Sequence, residues 1–232
     1  MEMKYAGVPA NVEEAFLVAQ EYVKQYFSAA LFEPEQGTIT VKGERYILVR
    51  AASMSVYFLE FIRAMYPHLD DPESVDVASR VLYDLASFIG RADAKQFHKA
   101  TGVSDSVAKL STGPIHFAFS GWAFVDIHPE SRPVAGPGYI LVYDHINSFE
   151  ADSWIKIRGR TGFCTCFMNA GYSSGWCTES FGLELKAREI TCRARGDGQC
   201  RFVMAPPDLL PNAIRSYLEL HHELSSADRG GP

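Results

Sequence analysis

All five cysteines of this 232-residue chain lie between Cys164 and Cys200. Thiols crowded into one short stretch favour a single local site over a disulfide framework spread through the molecule, and this fixes the C-terminal third more tightly than any other feature. Gly196-Asp197-Gly198 is a turn signal, and Cys192 and Cys200 stand four residues either side of Gly196, so the two should face each other across paired strands. Glu189 sits three residues before Cys192, and Cys166 lies upstream on an expected helix. Three thiolates and one carboxylate would complete a tetrahedral shell with no open position, the pattern of a structural zinc site. The same thiols would also serve as small buried hydrophobes, or Cys192 and Cys200 as a disulfide. Cys164 is an alternative ligand to Cys166, and Cys177 reads as packing.

The rest of the chain is long enough to bury a core without staples. Its 47% hydrophobic and 22% charged composition excludes global disorder. A net charge of −6 argues against direct nucleic-acid binding and against an anionic membrane surface. No segment approaches the ~20 apolar residues of a spanning helix. Met1-Glu2-Met3-Lys4 lacks the apolar core of a secretory signal, so the cytoplasm is the expected location. There is no phosphate loop, no dinucleotide-binding glycine turn and no His-Glu-x2-His zinc motif.

Apolar spacing predicts an amphipathic helix over residues 11–31, capped by Asn11. A hairpin over 38–42 and 45–49 follows, then a helix over 53–65 and a third opened by Asp71-Pro72 and running towards His98 and Gly102. Residues 103–124 read as a helix passing into a strand, 139–143 and 153–157 as strands, and 162–180 as a helix. Lys156, Arg158 and Arg160 alternate as the solvated face of the second of those strands. Residues 183–194 and 200–204 form the closing hairpin, 211–220 a last short helix, and the run from Ser225 has the composition of a linker. The expected fold class is α/β of the α+β kind, an antiparallel sheet flanked by helices with the zinc site near its C-terminal hairpin.

A second constellation is aromatic and histidine-rich: His116, Phe117, Trp122, Tyr143, His145, Phe149, Tyr172 and Trp176. An apolar pocket with one or two polar fixtures is how proteins hold small aromatic ligands, although a chain with 12% aromatic residues also builds such a core without one.

Three stretches carry a resemblance: Asn147-Ser148-Phe149-Glu150, Gly171-Tyr172-Ser173-Ser174-Gly175, and Glu189-x2-Cys192-Arg193-Ala194-x-Gly196-Asp197-x2-Cys200-Arg201-Phe202. In order and spacing they resemble the 4-vinyl reductase-type domain, most of all the N-terminal ligand-sensing domains of xylene-, toluene- and phenol-responsive bacterial transcription activators. The resemblance runs from Thr38 to Met204. It implies a dimeric sensor of small aromatic or related apolar ligands, with zinc on Cys166, Glu189, Cys192 and Cys200. It also implies that His116, in Gly113-Pro114-Ile115-His116, hydrogen-bonds the ligand, with Tyr143, His145, Phe149, Tyr172 and Trp176 around it.

Two departures stand out. His145 replaces the pocket tryptophan of the phenol sensors and Ala187 a bulky aromatic, so a roomier and more polar pocket is expected. The implied organisation is residues 1–50 for dimerisation, 51–224 for ligand and zinc, and 225–232 as linker or tail. An output domain would lie in the same or another chain. The leading expectation is a non-enzymatic sensor. Its rivals are an enzyme or accessory protein of tetrapyrrole reduction, from the wider family, and a vesicle-tethering scaffold, against which the zinc ligands argue.

Overall fold

The computed structural model describes residues 2–225; the expected linker lies outside them apart from Ser225. In chain order the elements are β1 (Ala6–Gly7), α1 (Glu13–Ser28), β2 (Ala30–Glu33), β3 (Thr38–Val41), β4 (Glu44–Tyr46), α2 (Ala51–Met54), α3 (Val56–Ala64), α4 (Asp71–Thr101) and α5 (Ser106–Ser120). There follow β5 (Phe124–Ile127), β6 (Leu141–Ile146), α6 (Phe149–Arg158), α7 (Phe167–Phe181), β7 (Lys186–Thr191), β8 (Arg201–Ala205), α8 (Leu210–Leu220) and α9 (His222–Ser225).

The main sheet has the order β1-β5-β6-β8-β7, antiparallel except for the short β1–β5 pair, and β2-β3-β4 form a small separate antiparallel sheet. The α+β expectation holds as a mixed architecture of sheets flanked by helices. Strand periodicity sorts the central strands into two faces. Tyr143, Phe202 and Met204 join the larger core that includes residues of α4, α5 and α7, whereas Val142, Val203 and Ala205 form a second core with Leu210 and Tyr217 of α8. On that second face Arg201 clasps Asp144 through two nitrogens, 2.7 and 2.8 Å, and donates to the Tyr217 hydroxyl at 3.0 Å.

Local chemistry sets the long helices. Asp70 accepts from Glu73 N at 2.9 Å, Pro72 occupies the first turn, and Gly102 in the left-handed region ends α4. Asp105 caps α5 in the same way, through Ala108 N. Helices α4 and α7 approach so closely that a Cβ on Gly90 would meet the Tyr172 carbonyl, one on Gly171 the Tyr83 carbonyl, and one on Gly175 the Ser87 carbonyl. Glycine is required there by contact, whatever its dihedrals.

Several sequence expectations need correction. The first helix starts at Glu13 with Val12, not Asn11, at the cap position and no side-chain cap, and it ends at Ser28 because residues 30–33 pair with β3 instead. The helix expected over 53–65 is broken at Ser55 into α2 and α3. The strand expected at 153–157 is the end of α6, which Ser148 initiates; Lys156 and Arg158 lie in its last turn, where cations complement the helix dipole. The helix expected from 162 starts only at Phe167, leaving Cys166 at its cap.

Candidate functional site

The metal-ligand atoms of Cys166, Glu189, Cys192 and Cys200 all lie within 4.8 Å of one another. Four pieces of chain converge here for distinct reasons. Thr191 pairs with Arg201 at the end of the β7–β8 ladder, so Cys192 and Cys200 follow as the next opposed positions. Residues three apart on a regular strand point to opposite faces, and Glu189 and Cys192 are three apart. A register shift between Glu189 and Thr191 inserts the extra residue that returns both to one side. Asp197 closes the loop by accepting from Cys192 N at 2.7 Å. Cys166 is delivered by the start of α7.

That start has no side-chain cap of its own. Glu150 supplies one from another helix, its fully buried carboxylate accepting from Met168 N at 3.0 Å and Asn169 N at 2.8 Å. Burial pushes Glu150 up to about 8 against the pull of those N–H groups. Around the sulfurs, Arg193 N donates to Cys200 Sγ at 3.4 Å, Thr165 N donates to Cys192 Sγ at 3.5 Å, and Ser148 Oγ lies 3.1 Å from Cys166 Sγ. Asn169 Nδ2 donates to Ser148 Oγ at 2.7 Å.

All five cysteines are free thiols, so the disulfide alternative is not adopted. Hydrogen bonds from Cys164, Cys166 and Cys200 pull Cys192 strongly towards the thiolate, whereas burial pushes Cys166 and Glu189 up. Glu189 is half-buried as a residue, but its Oε1 is sealed from solvent with no hydrogen-bond partner. An enclosed set of sulfur donors around one orphaned carboxylate oxygen fits a thiophilic dication of the zinc kind, which would neutralise the anions that burial otherwise opposes.

The aromatic constellation lies on the other side of α7. A cavity of about 30 Å³ is walled by Tyr143, Tyr172 and Trp176 among the expected residues, together with Phe117, Pro114 and Cys177, which sequence reasoning did not place there. His116 is buried beside it, its ring against Phe97, Trp176 and Tyr172. His145 is buried among Phe117, Tyr143 and Phe202. Phe149 packs away from the cavity, on Trp122. Gly113 gives Trp176 its place, since a Cβ there would lie 2.7 Å from the indole nitrogen.

The expected enlargement of the pocket does not occur. Tyr143 stacks on Phe202, and the Tyr83 hydroxyl, bonded to Ser174 at 2.7 Å, also accepts from Ala187 N at 3.3 Å and so occupies the neighbourhood that Ala187 leaves open. A benzene-sized ring needs ~150 Å³, so a ligand must displace walls to enter.

The polar inventory is unbalanced. His116 Nε2 and both ring nitrogens of His145 are buried without partners, and Tyr143 Oη, near Ser173, has none in hydrogen-bond geometry. Burial pushes both histidines down to about 3. Native interiors seldom leave so many polar atoms unmet in one place.

Comparison with known proteins meets this geometry at the metal cluster. Residues 150–206 match the 4-vinyl reductase domain family. That segment holds all four clustered donors together with Tyr172 and Trp176, in agreement with the resemblance drawn from the motifs. Over 204 residues, 88% of this chain, the sequence is 21% identical to the phenol regulator MopR of Acinetobacter guillouiae; the chain spans 35% of that relative's length. The phenol-responsive sensory domain of the transcription activator PoxR, solved with phenol, shares the fold: TM-score 0.69 at 19% identity, covering 95% of this chain and 100% of that one. A weaker likeness, TM-score 0.43 at 14% identity over 67% of this chain and 93% of the other, is to a trafficking protein particle complex subunit 3 from Naegleria fowleri bound to palmitic acid. No helix among the described residues is long and apolar enough to cross a membrane.

Proposed function

We propose that this chain is the ligand-sensing part of a cytoplasmic transcription regulator. It would take a small aromatic molecule among His116, Tyr143, His145, Tyr172 and Trp176, with Phe149 outside them, and be held together by one structural zinc at Cys166, Glu189, Cys192 and Cys200. The observation that carries this reading is the set of buried, unpartnered polar atoms on His116, His145 and Tyr143 around an aromatic-walled cavity. An unmet buried group costs about 1–3 kcal/mol, so a ligand that supplies partners stabilises whichever arrangement of the walls admits it. The phenol-related names of MopR and PoxR point the same way. Residues 1–50 would form a dimer interface, 51–224 the sensing domain, and the output domain would stand elsewhere in the same or another chain.

Zinc would act as a tie between α7 and the β7–β8 hairpin, leaving no coordination position for substrate, which argues for a sensor over an enzyme. Calorimetry with a panel running from phenol to biphenyl-sized compounds tests the ligand reading. Saturable binding of at least one single-ring member, weakened by His116→Ala, is expected; no binding across the panel by the zinc-loaded protein would sink it. Elemental analysis tests the metal: one zinc per chain is expected, and less than ~0.3 per chain, or a melting temperature unmoved by chelation, would rule the structural role out.

A further inference from the structure

His116 has one ring nitrogen left for a ligand, and whether that atom gives or takes a hydrogen is decided on the far side of the ring. Tyr172 Oη lies 3.1 Å from His116 Nδ1 and donates to Asp93 Oδ2 at 2.7 Å. We infer that Asp93, acting through Tyr172, fixes His116 in its Nδ1–H form and so makes the pocket select aromatic ligands that carry a hydrogen-bond donor. This rests on the reading above that His116 meets the ligand.

The argument is a count of protons. A phenolic hydroxyl has one, and a carboxylate can only accept, so the Tyr172 proton goes to Asp93. The Tyr172 oxygen then presents lone pairs to His116 Nδ1, which must carry the ring hydrogen to avoid facing lone pair with lone pair. Burial holds the ring neutral at ordinary pH, so it has no second proton. Nε2 is therefore a bare acceptor, enclosed and without a partner. A hydroxyl or N–H on the ligand satisfies it; an ether, nitrile or ketone brings a second acceptor against it.

The placement follows from the helix contact already described. Gly90 and Asp93 are three residues apart on one face of α4, and Gly171 immediately precedes Tyr172 on α7. Glycine at these points lets the two backbones close until the Tyr172 hydroxyl reaches across to Asp93. Asp93 is thus a positioning residue, since it touches Tyr172 and not the ligand.

Long-range 1H–15N correlation spectra of protein labelled with 15N-histidine read the tautomer directly at pH 7.5, with His116 identified by its loss in His116→Gln. The wild type should show protonated Nδ1 and bare Nε2. In Asp93→Leu the Tyr172 proton has nowhere else to go but His116 Nδ1, so the pattern should invert. Tyr172→Phe cuts the link without touching Asp93 and should abolish the preference, which keeps the inference falsifiable if Asp93→Leu folds poorly. A wild type protonated at Nε2, or variants with the wild-type pattern, would overturn it. Calorimetry adds the ligand arm: wild type should prefer phenol over benzonitrile by roughly tenfold or more, and Asp93→Leu should lose most of that ratio. Equal wild-type affinity for the two overturns the selection. Binding of neither, with the expected tautomer, defeats the ligand reading alone and leaves the Asp93 assignment standing.

Discussion

His116 loses its hydration completely in the fold, and burial pushes its pKa from 6.5 to about 3. Between those values the unfolded chain takes up a proton that the folded chain refuses, so this contribution to stability is present above pH 6.5 and is lost as pH falls towards 3. Its slope is about 1.4 kcal/mol per pH unit. His116→Gln should therefore close its stability gap to the wild type by up to that amount per unit between pH 6 and pH 4, measured by denaturant titration; a gap independent of pH would refute the burial argument. Glu150 makes a second prediction at this scale. Replacing it by Ala strips two N–H groups at the start of α7 of their only cap, and should cost about 1–3 kcal/mol. Because Cys166 sits at that helix end, Glu150→Ala should also release zinc to a chelator faster, whereas loss of stability with unchanged release would separate the cap from the metal.

Among the elements, the α4–α7 contact bears most on the site, because it sets Asp93 against Tyr172 and presents Tyr172 and Trp176 to the cavity. Gly171→Ala would place a methyl against the Tyr83 carbonyl, a backbone atom that cannot rotate away. Overpacking of this kind typically costs about 1–3 kcal/mol. Gly162→Ala, with open space around it, is the control and should stay within about 1 kcal/mol of wild type. Comparable urea midpoints for the two variants would show that the helices can slide apart at little cost. The β7–β8 hairpin is the other decisive element, since its register shift puts Glu189 and Cys192 on one side.

At the scale of the whole molecule, the N-terminal region leaves large apolar side chains in solvent: Leu31 at 60%, Phe32 at 61%, Ile47 at 74% and Leu48 at 80% exposure, with Phe61 of α3 at 59%. Apolar exposure on this scale marks an association surface more often than a free one. It supports the proposed homodimer through the small sheet and its flanks. Light scattering should give a mass near two chains, and Ile47→Glu with Leu48→Glu should bring it to one while leaving zinc content unchanged. A wild-type mass of one chain at all concentrations would rule the dimer out.

The sequence by itself determined the local matters: the long helix between Asp70 and Gly102, the facing of Cys192 and Cys200 across Gly196, and the candidate set Cys166, Glu189, Cys192 and Cys200. Each depends on caps, turns and short spacings that neighbouring residues control. Where tertiary contacts compete with spacing, the sequence misled: residues 153–157 read as a strand but follow the helix that Ser148 starts, and residues 30–33 read as helix but join β3. Only the tertiary structure decided that Glu150 caps the helix beginning beyond Cys166, that Tyr83 takes up the room beside Ala187, that Phe149 turns to Trp122, and that Asp93 holds Tyr172. Asp93 and Tyr172 are 79 residues apart, and no periodicity reaches that far. Their meeting depends on how closely two helices pack, a property of both surfaces together and of neither segment alone.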